Sequence, residues 1–121
     1  MGKNILIIDD EELIIKSLSK LLEKSGYEVF IAKNGQDAIV MAEEADFDLI
    51  LADIKMPGIN GVETVREIHK IKGRNKVPTI FITGYADEIS EKEAQKLSPE
   101  AYLYKPFDMN ELMQKIKKAT S

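Results

Sequence analysis

Five side chains in this chain of 121 residues could act together chemically: Asp9, Asp10, Asp53, Thr83 and Lys105. Each closes a short apolar run, and each has a plain structural reading by itself. Asp9 or Asp10 could cap a helix, and Asp53 could open the turn before Pro57. Thr83 could cap a helix or end a β-branched strand. Lys105 could be a solvated charge. As a set they ask for more. Three carboxylates in one crevice repel one another and raise their own pKa values unless a cation sits among them. Oxygen-only donors suit Mg²⁺, with Mn²⁺ as the alternative ion. Lys105 adds a further positive charge beside the same carboxylates. Such a constellation neutralises an incoming phosphoryl group.

That chemistry requires a fold that gathers the five. Residues 5–8 and 49–52 are continuously apolar, as strands buried on both faces are. Residues 27–32, 77–82 and 101–104 read as three more strands. The first helix is expected over 11–24, where Leu13, Ile14, Leu18, Leu21 and Leu22 recur at helical spacing and Gly26 supplies a stop. Further helices are expected over 36–45, 62–71, 86–97 and 109–118, the last with Asp108 as N-cap. Residues 56–61, Met-Pro-Gly-Ile-Asn-Gly, form a turn-rich loop.

Strict alternation of strand and helix predicts an α/β protein: a doubly wound parallel sheet of five strands with five helices covering both faces. Ligands of such sheets bind beyond the carboxyl ends of the strands. Strand one ends in Asp9-Asp10, strand three in Asp53, strand four in Thr83 and strand five in Lys105. Strand two ends in a plain turn, Lys33-Asn34-Gly35.

Composition narrows the partners. Seventeen Lys and Arg against twenty-one Asp and Glu give a net charge of -4, which argues against direct nucleic-acid binding. The chain has no cysteine, which excludes thiolate metal sites and Cys nucleophiles, and its single histidine, His69, is expected on the surface of the third helix. No apolar stretch approaches the roughly 20 residues that span a bilayer. The expectation is a cytoplasmic protein, with no membrane partner and with one domain over 1–121 and no effector domain.

Four motifs carry a family resemblance: Ile7-Ile8-Asp9-Asp10-Glu11; Asp53 with Met56-Pro57 and Gly61; Thr83-Gly84; and Tyr104-Lys105-Pro106-Phe107. In this order and spacing the chain resembles the receiver domains of two-component response regulators over essentially its whole length. The resemblance implies a flavodoxin-like sheet of strand order 2-1-3-4-5. It implies that Asp53 takes a phosphoryl group from a sensor histidine kinase or phosphotransfer protein. It also implies that Asp10, Asp53 and the backbone carbonyl of Lys55 ligate Mg²⁺, with Asp9 holding a metal-bound water. Lys105 and the Thr83 hydroxyl would take phosphoryl oxygens. The protein would be a signalling module, catalysing only its own phosphorylation and dephosphorylation.

The resemblance further implies a switch pair, Thr83 and Tyr102, and a cis peptide between Lys105 and Pro106. Output to a downstream effector would run through the face of the fourth helix, fifth strand and fifth helix. Asn60, Ile59 and the Ser98-Pro99-Glu100 turn depart from the commonest pattern. Lys55 and Tyr85, two residues after Asp53 and Thr83, flank the path of attacking water and are expected to slow loss of the phosphoryl group.

Three other functions fit less well. An FMN-binding module of the same fold needs a Gly/Ser/Thr-rich phosphate loop after strand one, where this chain has Asp9-Asp10-Glu11-Glu12. An aspartyl phosphohydrolase of the haloacid-dehalogenase type would carry Asp-x-Asp at that point. A receiver serving only as an interaction module would have no use for all five reactive residues.

Overall fold

The computed structural model describes residues 2–71, 73–84 and 87–121. Five strands, β1 (Asn4–Ile8), β2 (Glu28–Ala32), β3 (Leu49–Asp53), β4 (Thr79–Thr83) and β5 (Ala101–Tyr104), alternate with five helices. The helices are α1 (Glu12–Lys24), α2 (Gly35–Glu44), α3 (Gly61–Lys70), α4 (Glu88–Gln95) and α5 (Met109–Thr120). The strands pair in parallel in the order β2-β1-β3-β4-β5. This is the flavodoxin-like, doubly wound sheet expected.

The continuous apolar runs feed two cores. Ile5 and Ile7 of β1 face Leu18 and Leu22 of α1 and Leu112 and Ile116 of α5. Leu6 and Ile8 face the other way, toward Ala38 of α2, Val65 of α3 and Phe81 of β4. Alternate residues of one strand point to opposite faces, so a buried central strand must be apolar throughout. β3 and β4 are buried at every position.

Local chemistry explains where boundaries moved. β4 begins at Thr79 rather than 77: Pro78 has no N–H to give the ladder, although its carbonyl still accepts from the Ile50 N–H at 2.9 Å. α4 ends at Gln95 rather than 97, and Ser98 takes a left-handed φ of 52° just ahead of Pro99. Ala86, the expected start of that helix, lies outside the described residues. In α1 Leu18 and Leu22 are buried and Ile14 packs on the same core as expected, but Leu13 is 80% exposed and Ile15 takes a buried place instead. His69 is not a free surface residue but half-buried, its Nε2 3.3 Å from the Val77 carbonyl oxygen, and burial lowers its pKa.

Candidate functional site

The sheet aligns the ends of its strands. Ile8 pairs with Ala52, Asp53 with Ile82, and Thr83 with Tyr104. Asp9, Asp53, Thr83 and Lys105 therefore stand at or just past the carboxyl ends of four adjacent strands. Asp9 is 3% exposed, Asp53 5% and Thr83 fully buried, while Asp10 is exposed. One carboxylate oxygen from each of Asp9, Asp10 and Asp53 lies within 4.8 Å of the others.

Backbone geometry fixes these groups. The Asp9 N–H donates to the Ala32 carbonyl at 3.1 Å, and Asp9 Oδ1 accepts from the Glu11 N–H at 2.9 Å. Neither Asp9 nor Asp10 caps α1. Asp53 Oδ1 accepts from the Lys55 N–H at 3.3 Å. Behind Asp53 stands Gly61, whose N–H donates to the Ile54 carbonyl at 2.8 Å. A Cβ on Gly61 would lie 2.0 Å from the Asp53 carbonyl oxygen, so only glycine lets α3 start this close to β3. Asn60 is the N-cap of α3, a place that Asp would fill equally well. Its side chain accepts from the Glu63 N–H and Glu63 answers at the Asn60 N–H, a complete capping box on α3.

Lys105 reaches this pocket from the far side. Its Nζ lies 3.3 Å from Asp9 Oδ2, 3.4 Å from Asp53 Oδ2 and 2.5 Å from Glu11 Oε1, with the side chain only 13% exposed. The Lys105 N–H donates to the Thr83 carbonyl at 2.7 Å, tying the loop after β5 to the end of β4, and the Lys105–Pro106 peptide is cis. Gly84 lies against the Lys105 stem, but a Cβ there would make only ordinary contacts of 3.8 Å. Thr83 does not cap α4; Asp87 does, its side chain accepting from the Ile89 N–H.

One ammonium does not satisfy the buried carboxylates. Burial, and then the neighbouring charge of Asp9, push the Asp53 pKa up to about 6 against the opposing pull of Lys105 and the Lys55 N–H. Burial raises Asp9 as well. Lys105 is held above its ordinary range: burial works to lower it, but Glu11, Asp9 and Asp53 outweigh that. A crowded, oxygen-only donor set with carboxylates short of positive charge fits a hard divalent cation.

Away from the carboxylates, Tyr102 packs on Phe81 with ring centroids 6.3 Å apart and on Tyr104 at 5.4 Å. Its hydroxyl is buried without a hydrogen-bond partner among the described residues, and burial pushes its pKa up to about 12. The Tyr104 hydroxyl donates to Glu91 of α4. Lys55 is exposed beside Asp53. Tyr85, the other residue expected to tune hydrolysis, lies outside the described residues.

Glu11 is the pocket residue that the functional assignment from sequence overlooked. It belongs to the first motif, but nothing in its spacing announces an ion pair with a lysine 94 positions later.

A family model described as the response regulator receiver domain matches residues 5–117. The transcriptional regulatory protein CrdR of Helicobacter pylori is 38% identical over 118 residues, 98% of this chain and 55% of that protein. The chain thus spans about half the length of that relative. A CheY-like receiver domain protein from Methanospirillum hungatei superposes with a TM-score of 0.92 at 35% identity, over 99% of this chain and 94% of the other. The response regulator TrrA of Thermotoga maritima, solved in complex with Mg²⁺ and BeF, superposes with a TM-score of 0.84 at 35% identity, over 97% and 98% of the two chains.

Proposed function

The chain belongs to the response regulator receiver domain family, and from that premise we propose that Asp53 is its phosphoryl acceptor. The donor is a phosphohistidine on a sensor histidine kinase or phosphotransfer protein. An Asp53 carboxylate oxygen attacks phosphorus, the P–N bond breaks, and the imidazole leaves with the bonding electron pair. The transition state is loose, so positioning and charge neutralisation do most of the catalytic work.

The observation that carries this reading is the convergence of Asp9, Asp10 and Asp53 oxygens within 4.8 Å, with Lys105 reaching two of the three carboxylates. Asp9, Asp10, Asp53 and the Lys55 carbonyl would hold Mg²⁺ or Mn²⁺, which when bound supplies positive charge against the phosphoryl oxygens. Lys105 pairs with one phosphoryl oxygen, and the Thr83 hydroxyl donates to another. Drawing Thr83 toward the acyl phosphate biases Tyr102, whose hydroxyl has no hydrogen-bond partner among the described residues and can take up a new one. The α4-β5-α5 face then changes for a downstream effector. Lys55, exposed two residues after Asp53, slows hydrolysis; an unchanged phosphoryl half-life in Lys55→Gly would count against that role. We read the chain as a receiver unit acting in the cytoplasm, its signal passed on by protein contact rather than by direct nucleic-acid binding. No helix among the described residues is long and apolar enough to cross a membrane.

The test is mass spectrometry after treatment with acetyl phosphate and Mg²⁺. Wild type gains one phosphoryl adduct and Asp53→Asn gains none. An adduct of equal yield on the variant would refute the assignment.

A further inference from the structure

Glu11 stands at the N-cap of α1, where Ser, Thr, Asp or Asn would ordinarily satisfy the free N–H groups of the first turn. Its side chain makes no such cap. Instead the Asp9 carboxylate, accepting from the Glu11 N–H, folds the loop so that the Glu11 side chain turns back over the pocket. There Glu11 Oε1 is the nearest carboxylate oxygen to Lys105 Nζ, at 2.5 Å against 3.3 Å for Asp9 and 3.4 Å for Asp53. Glu11 is 56% exposed where Lys105 is 13%, so the pair forms a rim contact on a buried cation. An ammonium has three N–H bonds to give, and three carboxylates already claim them. A phosphoryl group needs at least one.

We propose that Glu11 holds the Lys105 ammonium in reserve at the pocket mouth and yields it when a phosphoryl group forms on Asp53, so that Glu11 sets the site's affinity for phosphoryl anions. The exchange makes and breaks no covalent bond. Lys105 passes from an exposed carboxylate to a phosphoryl oxygen, and Glu11 turns to solvent. A helix N-terminus left without a side-chain cap is the structural cost of this arrangement.

The inference rests on Asp53 as the acceptor, and the experiment separates the two. Binding of beryllofluoride, an anionic phosphoryl mimic, is measured by calorimetry at saturating Mg²⁺ for wild type, Glu11→Gln and Glu11→Asp. Glu11→Gln should bind about two- to five-fold more tightly, the scale of one exposed ion pair. Glu11→Asp keeps the charge but is one methylene shorter, suited to capping α1 rather than reaching Lys105, and should show most of the same gain. In the metal-free protein the ¹⁵Nζ resonance of Lys105 should move in both variants. Glu11→Gln binding with wild-type affinity or more weakly, or a Lys105 resonance that does not move, overturns the proposal. So does a gain in Glu11→Gln that Glu11→Asp lacks, because the charge would then act through space. A wild type that fails to bind the mimic removes the acceptor reading too.

Discussion

At the amino ends of the strands Asp46 pairs with Arg74 and Asp48 accepts from the Asn4 N–H at 2.7 Å, both carboxylates lying in solvent. At the carboxyl ends Asp9 and Asp53 are buried, and one lysine serves them both. The first arrangement asks little of the fold, since solvated ions already have water for company. The second leaves Asp53 with a pKa near 6 and Asp9 raised with it. One end of the sheet is thus built for stability. The other leaves its buried carboxylates short of positive charge.

Lysines at the two ends should differ most. Lys105→Ala is expected to slow phosphorylation from acetyl phosphate by about 100-fold, the scale of removing one preorganised charge from a transition state. Lys117→Ala, beside Tyr27 and Thr120 at the opposite end, should leave the rate unchanged. Equal effects of the two would dissolve the contrast.

Carboxylates come next. In metal-free protein at pH 7, Asp53→Asn should raise the melting midpoint by about 5 °C, whereas Asp46→Asn should change stability by no more than about 0.5 kcal/mol. The pH dependence has a definite sign. Asp53 loses its proton near pH 6 in the fold and near 4 in the unfolded chain, so the folded state binds the extra proton between those values. On this account the metal-free fold gains stability as pH falls from 7 toward 5. His69, whose pKa is lowered by burial, works in the opposite direction, because the unfolded chain takes up that proton first. Comparing wild type with Asp53→Asn at each pH isolates the carboxylate. The gap should be widest at pH 7 and close toward pH 5, and a constant gap would contradict the assignment.

The smallest effect belongs to the quiet end. Tyr27 and Thr120 share a hydrogen bond of 3.1 Å between hydroxyls. Tyr27→Phe should cost about 0.5–1 kcal/mol in chemical denaturation and leave mimic binding untouched.

How much of this was legible in the sequence varies by element. Strands such as β1 and β3 announce themselves, because a strand buried on both faces must be apolar at every position. The carboxyl ends of these two strands can then be read off directly, and they carry Asp9 and Asp53. The phase of α1 could not be read the same way. Leu13, Ile14 and Ile15 are consecutive apolar residues, and only the folded packing decides that Ile14 lies against the core of Ile5 and Ile7, that Ile15 is buried and that Leu13 faces outward. His69 looked like a surface residue because a helical pattern does not show that the segment before β4 folds across its ring. Glu11 escaped notice for another reason. A long charged side chain can choose between capping its own helix and reaching a distant lysine, and only the folded geometry settles the choice.

The central claim is that the carboxylates at the strand ends form a divalent-ion site, and calorimetric titration of metal-free protein with Mg²⁺ tests it most directly. Wild type should bind one ion per chain, and Asp10→Asn and Asp53→Asn should each lose that binding while remaining folded. A wild type that takes up no ion, or variants that bind as tightly as wild type, would contradict the account.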